Sequence, residues 1–481
     1  MRNISTALTT AAVASLLAFT TSAKTADEWK SRTVYQLLTD RFAKTDGSTD
    51  ECSDLHNYCG GTFKGIQNNL DYIAGMGFDA IWISPIPHNA EADYHGYGAL
   101  DWEKVNEHFG TDEELIELIE ACHARDIWVM LDVVANHTSY YADSDFSNVY
   151  PFNKAEYYHD SCDIDWGDQW SIENCWLSGL PDLDQDNDFV RDYLKEWING
   201  VVTRFDFDGI RIDTIPHVPK PFWSEYNEAA GVFQMGECFN GDSYYVGDYQ
   251  NYVTALFNYP MFFSIRDVFG SGQSMYNFRT RYEEEEKAFK NVDILGSFMD
   301  NHDNARFLSI WGDKASFKNA VAFALTARGI PFFYYGDEQY FDGGNDPANR
   351  ESLWNVMDTE SEMYNYVKTI NKARQAAKAW DYDYVERYVL DDFFAHSFGD
   401  MLVLTTNSDR YIELTLPYLP YSAGTTVCNA FDSNDCATVT DEGLSVTFMT
   451  YPKIYLPQDS SFFIEANNFP QMHEEVVAAI I

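Results

Sequence analysis

The chain predicts an α/β fold: a parallel (β/α)8 barrel of the TIM type, with an inserted subdomain after strand 3 and a C-terminal antiparallel β-sandwich. Three observations predict it. Strand-like apolar runs alternate with amphipathic helical segments over most of the 481 residues, in eight units. One connection holds about fifty residues, too many for an ordinary loop. After about residue 382 the pattern changes to short alternating strands. A doubly wound open sheet is the alternative that pattern alone leaves standing.

In chain order, residues 1–23 read as a secretory signal peptide. Arg2 is the only charge, an apolar stretch follows, and Thr21-Ser22-Ala23 supplies small residues for cleavage before Lys24. Barrel strands are expected in "TVYQLLT" (33–39), "FDAIWIS" (78–84) and "IWVMLDVV" (127–134), which place the first part of the barrel in residues 24–137. Residues 138–189, rich in Asp, Asn, Ser, Tyr and Trp, are the insertion. The second part, 190–382, carries "FDGIRID" (207–213), "VFQMGE" (232–237), "VTALFNY" (253–259), "DILGSFM" (293–299) and "IPFFYYG" (330–336). Helices such as "TDEELIELIEACHARD" and "DKASFKNAVAFALTARG" lie between strands. The runs "MLVLTTN", "YIELTLP", "TTVCNA", "LSVTFM" and "KIYLP" fill the sandwich, 383–466, and 467–481 is read as a tail.

The net charge is −44, or −45 once Arg2 leaves with the signal. A chain this acidic is not expected to bind nucleic acid or an anionic membrane. No other segment approaches the roughly 20 apolar residues needed to span a bilayer. Secretion permits disulfides, and the spacing of the eight cysteines favours Cys52–Cys59, Cys162–Cys175 and Cys428–Cys436. Cys122, in line with Leu115 and Ile119, reads as a buried thiol, and Cys238 is left over.

In such a barrel, reactive side chains sit at the carboxyl ends of strands. The third strand ends in Asn136-His137, the fourth in Arg211 and Asp213, the fifth in Glu237, and the seventh runs into "DNHD" with His302 and Asp303. Any one Asp there could be a helix N-cap. Three carboxylates converging with an arginine and two histidines suit glycosidic cleavage by retention, with a nucleophile and a general acid about 5–5.5 Å apart. Arg211 and Asp213, two apart in a strand, share a face, so the arginine would keep the carboxylate charged and aimed. Glu237, apolar-flanked and near like charges, would be the acid. Asp303 would stabilise the oxocarbenium-like transition state, with His137 and His302 donating to the sugar. Two other classes compete. One is a divalent-metal site from Asp132, His137, Asp213, His302 and Asp303, which lacks ligands at tight local spacing and holds a repelling Arg211. The other is a catalytically silent glucan-binding protein, for which a carboxylate should be missing.

At these residues the chain resembles the retaining α-glycosidase superfamily, and within it the secreted fungal α-amylases. "DVVANH" (132–137), "GIRIDT" (209–214), "GEC" (236–238) and "FMDNHD" (298–303) stand in the order of that family's signature regions, with "LPDLD" (180–184) as a fifth. "YQLLTDRF" (35–42), "CGGTFKGI" (59–66) and "GGNDPANRE" (343–351) also match. The resemblance implies endo-hydrolysis of internal α-1,4-glucosidic bonds in starch and related glucans, with Asp213 as nucleophile, Glu237 as acid/base and Asp303 as stabiliser. It implies sugar contacts from Tyr97, His137, Arg211, His217, His302, Asp346 and Arg350. It also implies a structural Ca²⁺ held by Asn136, Glu173, Asp182 and the backbone carbonyl of His217, an oxygen-rich set of the kind that hard cation prefers. Asn136 opens an "NHT" sequon, and as a metal ligand it should stay unmodified. The chain departs from the fungal pattern where Gly98 replaces a Trp after the stacking Tyr97, and where Pro216 replaces a Lys before His217. Those two positions leave an α-glucanotransferase or an exo-acting maltooligosaccharide hydrolase as alternatives on the same fold. A monomer acting on soluble polymer is the expectation.

Overall fold

The computed structural model describes residues 23–140 and 145–467, with side chains to residue 464. Apart from Ala23 and Asn467, the expected signal and tail lie outside the described residues. Eight short parallel strands form the centre: β1 Val34–Gln36, β2 Ala80–Ile83, β3 Trp128–Val133, β4 Gly209–Ile212, β5 Phe233–Gly236, β6 Ala255–Leu256, β7 Gly296–Ser297 and β8 Ile330–Tyr334. Their order is β6-β5-β4-β3-β2-β1-β8-β7. A parallel bridge from Phe257 to Gly296, with Asn258 N–H donating to the Gly296 carbonyl at 2.8 Å, ties the last strand to the first. The sheet therefore closes into a barrel, and the open-sheet alternative falls.

Every residue of these strands is buried, because helices cover the outer face and side chains fill the inner one. Alternation along each strand sets the layers inside. Trp128 and Met130 of β3, Phe233 and Met235 of β5, and Ala80 and Trp82 of β2 belong to one interior cluster with Phe257, Phe298 and Phe332. The next inward positions toward the carboxyl ends are Asp132 and Glu237, and from β4 Arg211 and Asp213. The apolar filling thus gives way to charge at one mouth. At the other mouth Trp29, fully buried, packs on Trp128 and Phe233 with ring centroids 5.1 Å from each. Gly209 makes room for it: a Cβ there would lie 2.8 Å from Trp29 Cζ2.

The long segment after β3 forms a separate lobe with the helix Gln169–Asn174 and the Cys162–Cys175 disulfide. It leans on a hairpin that the periodicity did not foretell, Pro87–Asn89 paired with Ala99–Val105. Tyr150 N–H donates to the Leu100 carbonyl, and Trp102 N–H to that of Tyr150. The other two expected disulfides, Cys52–Cys59 and Cys428–Cys436, are also formed, and Cys122 and Cys238 are free and buried.

The C-terminal strands are β9 Tyr384–Val389, β10 Phe393–Phe398, β11 Met401–Thr406, β12 Ile412–Leu416, β13 Thr426–Asn429, β14 Asp432–Thr438, β15 Leu444–Phe448 and β16 Lys453–Pro457. Six form a sheet ordered β9-β10-β11-β16-β13-β14, and β12 pairs with β15 alone. Phe393, Leu402 and Tyr455 of the first sheet share a core with Leu416, Val446 and Phe448 of the second. The unit docks on the helix Lys314–Thr326, where His396 Nε2 donates to the Thr326 carbonyl at 2.8 Å.

Candidate active site

Strand register brings Asp132 of β3 level with Arg211 of β4. Arg211 is 1% exposed, and a buried guanidinium needs partners. Its Nη1 donates to Asp132 Oδ1 at 3.0 Å and to Asp213 Oδ1 at 2.6 Å, while Nη2 meets Glu237 Oε2 at 3.1 Å. One planar cation therefore holds three carboxylates from three adjacent strands, with Asp213 and Glu237 on its two terminal nitrogens. Glu237 also accepts from Thr214 N–H at 2.9 Å. Thr214 takes left-handed backbone angles, φ 48 and ψ 43, as the chain leaves β4.

Burial is the largest influence on Glu237 and raises its carboxyl to about 8 against the opposing pull of Arg211; the negative charges of Asp213 and Asp303 add to the rise. Burial likewise lifts Asp132 to about 7, opposed by Arg211. Asp303 is near enough for its charge to act on Glu237, and its Oδ1 lies 3.5 Å from His302 Nε2 and 3.6 Å from Arg350 Nη2. Its side chain is the most open of the three, at 37% exposure.

A proton-ordered chain fixes the wall beside them. Gln36 Nε2 lies 2.7 Å from His302 Nδ1, so the imidazole accepts there and carries its proton on Nε2. That Nε2 is 2.6 Å from Tyr97 Oη, which donates to Asp132 Oδ2 at 2.7 Å. Trp82 Nε1 donates to the same oxygen at 3.0 Å. Burial holds His302 well below the ordinary histidine value, in keeping with a neutral ring. The Tyr97 and His302 rings are nearly parallel, 6° apart, at 5.4 Å. His137 Nε2 is buried and makes no hydrogen bond of ordinary geometry among the described residues. Arg350 Nη1 pairs with Asp346 Oδ1 at 3.0 Å on the outer side.

A second polar cluster lies behind His137. The Asn136 side-chain amide, itself 0% exposed, faces Asp182 Oδ1 at 3.0 Å and the His217 carbonyl oxygen at 2.9 Å. With its nitrogen inward the amide donates to both. With its oxygen inward three oxygens converge, which a cation between them would balance. Asp182 is held from behind by His159 Nδ1 at 2.6 Å. Glu173 Oε1 accepts from Gln169 Nε2 at 2.8 Å. Among the described residues no three His, Cys, Asp or Glu side chains converge as a metal cluster, so the donors here are amide and carbonyl oxygens beside one carboxylate.

The model of the α-amylase catalytic domain matches residues 36–388. This chain belongs to the α-amylase family. It is 40% identical over 371 residues to Alpha-amylase 1 of Lipomyces kononenkoae, covering 73% of this chain and 60% of that protein. It is 36% identical over 463 residues to Alpha-amylase 1 of Schwanniomyces occidentalis, covering 90% of each. The solved α-amylase of Malbranchea cinnamomea superposes with a TM-score of 0.87 at 37% identity, covering 91% of this chain and 98% of that one.

Within this α-amylase fold, the two departures from the fungal pattern have visible surroundings. A Cβ on Gly98 would fall 1.7 Å from Asp93 Oδ2, so the Asp93 carboxylate fills the place a larger residue would need. The Pro216 carbonyl accepts from Gln169 Nε2 at 3.1 Å, anchoring the inserted helix. Asp132 entered the sequence reading only as a possible metal ligand; its place is as a partner of Arg211 and Tyr97. A charge inside "IWVMLDVV" was the available signal, since an unpaired carboxylate is not buried in an apolar strand. Gln36 and Trp82 left no comparable signal.

Proposed function

We propose that this protein is a secreted α-amylase that cleaves internal α-1,4-glucosidic bonds and retains anomeric configuration. One observation carries the reading: a single buried guanidinium tethers Asp213 and Glu237 on neighbouring nitrogens while burial keeps Glu237 protonated into the neutral range. Asp213 attacks the anomeric carbon as Glu237 passes its proton to the leaving glycosidic oxygen, giving a glycosyl–Asp213 ester and a free 4-hydroxyl. Glu237, now a carboxylate, takes a proton from water, which attacks the same carbon and releases Asp213. Asp303, open to the cleft, stabilises the developing oxocarbenium charge. Tyr97 stacks on the sugar being cleaved, and His137 Nε2, His302 and Arg350 hold its hydroxyls, with Asp346 and His217 on either side.

Members of this family are generally calcium-dependent. The Asn136 amide oxygen, Asp182 and the His217 carbonyl supply hard oxygen donors suited to Ca²⁺, with Glu173 as a fourth candidate. The ion would fasten the inserted lobe to the barrel behind His137. Three disulfides support an extracellular site of action, and among the described residues no helix is long and apolar enough to cross a membrane. The chain is taken to act as a monomer.

Incubation with soluble starch tests the reading. Rapid viscosity loss, mixed oligosaccharides and initial α-anomers by NMR are expected. Elongated products from maltooligosaccharides would show a transferase instead, and no products a binding protein. Asp213→Asn should lower kcat by about three orders of magnitude or more with unchanged circular dichroism. Near-normal turnover would refute the nucleophile.

A further inference from the structure

Singly exposed rings are ordinary, but several gathered on one part of the surface mark a candidate binding face. Trp166 and Trp170 are 67% and 65% exposed, and Phe239 and Tyr244 are 56% and 58% exposed. All four lie on two neighbouring segments, the helix Gln169–Asn174 with its leading turn and the stretch from Cys238 through the helix Ser243–Asp248. These segments are bonded together: Tyr245 Oη donates to Gln169 Oε1 at 2.8 Å, and Gln169 Nε2 reaches Tyr249 Oη at 3.2 Å. Trp170 and Tyr244 are the residues next in the chain to that Gln169–Tyr245 pair, and both turn outward.

The strip is continuous with the cleft. The Trp166 ring stands edge-on to His217 at 5.9 Å, and Phe239, two residues beyond Glu237, packs its ring against Tyr259 at 5.0 Å. A general acid lies beside the bond whose oxygen it protonates. Glu237 and the loop that follows it therefore mark the side on which the departing part of the chain runs. Resting on that reading of Glu237, we propose that Trp170 and Tyr244 form an outer platform for the leaving-side glucose units of a long α-glucan, beyond the reach of short substrates. The chemistry around the rings fits an uncharged, hydroxyl-rich ligand. Flat aromatic faces take the apolar faces of pyranose rings. Asp165, Asp168 and Asp242 nearby can accept from hydroxyls and would repel an anionic polymer. Among the described residues neither the Trp170 nor the Tyr244 side chain has a hydrogen bond or ring contact with the carboxylates or the Asn136–Asp182 cluster, so their role is in length specificity and not in the chemical step.

The test compares two substrates in the full chain. Amylose extends across the platform, whereas p-nitrophenyl α-maltotrioside has only a small ring on its leaving side. For the double variant W170A/Y244A, kcat/KM on amylose should fall roughly tenfold and on the chromogenic substrate by less than about twofold. W170F/Y244F, which keeps both rings, should restore amylose cleavage to within about twofold of the parent. Unchanged amylose kinetics, or equal losses on both substrates, would overturn the proposal. If the parent cleaves neither substrate, the glycosidase reading fails separately. Retardation in amylose-containing native gels then still decides: slower migration of the parent that W170A/Y244A abolishes supports the platform, and identical migration sinks it.

Discussion

Arg211 explains why an arginine and a carboxylate lie two residues apart at the end of an apolar strand. Facing inward together, they meet Asp132 from one neighbouring strand and Glu237 from the other, and one cation balances a site that would otherwise hold several buried negative charges. The consequence for Glu237 can be measured. Its folded value of about 8 stands above the ordinary 4.5, so the folded protein keeps a proton that the unfolded chain has released. The stabilisation tied to that proton is complete below about 4.5 and is lost as pH rises through about 8. Thermal melts of the parent should therefore decline more steeply across that window than those of Glu237→Gln, which has no proton to lose. Parent kcat/KM should fall as pH passes about 8, because the acid is then ionised. Parallel melting curves for the two proteins would contradict the burial argument. The acidic trio was legible beforehand because each member ends an apolar strand. Asp132 was harder to place, because its role depends on which strand is its neighbour, and only register decides that.

Elements were legible in proportion to their own periodicity. Six of the barrel strands coincide with apolar runs, but β6 and β7 shrink to two residues each, and the first two residues of "DILGSFM" fall in a 3-10 turn at Val292–Ile294. The hairpin that carries Tyr97 between its strands was invisible because its stability comes from pairing with the inserted lobe, not from alternation of its own. Two predictions belong here. Gly209→Ala should destabilise the barrel by about 1–3 kcal/mol, because the new methyl meets Trp29 and the Phe233 carbonyl, at 2.8 and 3.1 Å. Denaturant melts would read it, and Trp29→Phe in the same chain should recover part of the loss by freeing the space. For the lobe, chelation should lower the melting temperature and speed proteolysis within residues 138–187, both reversed by Ca²⁺ and not by Na⁺. Unchanged melting and cleavage after chelation would remove the case for an ion at Asn136, Asp182 and His217.

At the scale of the whole molecule, 76 acidic residues face 32 basic ones, and the folded state works against its own charge. That repulsion is screened by salt. Several carboxyls add a second dependence with the same direction. Burial raises Asp40 to about 6, Asp132 to about 7 and Glu285 to about 8, and Glu237 joins them. Each binds a proton more readily folded than unfolded, so each contributes stability at mildly acidic pH that drains away as pH rises through its folded value. Carboxylates shifted the other way, such as Glu225 at about 2 beside Arg191 and Lys195, begin to cost stability only when pH falls below the ordinary carboxylate range. The two effects together place the stability maximum on the acid side of neutrality. Calorimetry with Ca²⁺ in fixed excess should give a higher melting temperature at pH 5.5 than at pH 8.5. Raising NaCl from about 0.02 to about 0.5 M should narrow the difference without closing it. Salt acts on the exposed charge and leaves the buried carboxyls largely untouched. A melting temperature that climbs from pH 5.5 to 8.5 would mean that these buried acids are paired well enough to stay ionised, and the account of Glu237 as a proton-holding acid would fall with it.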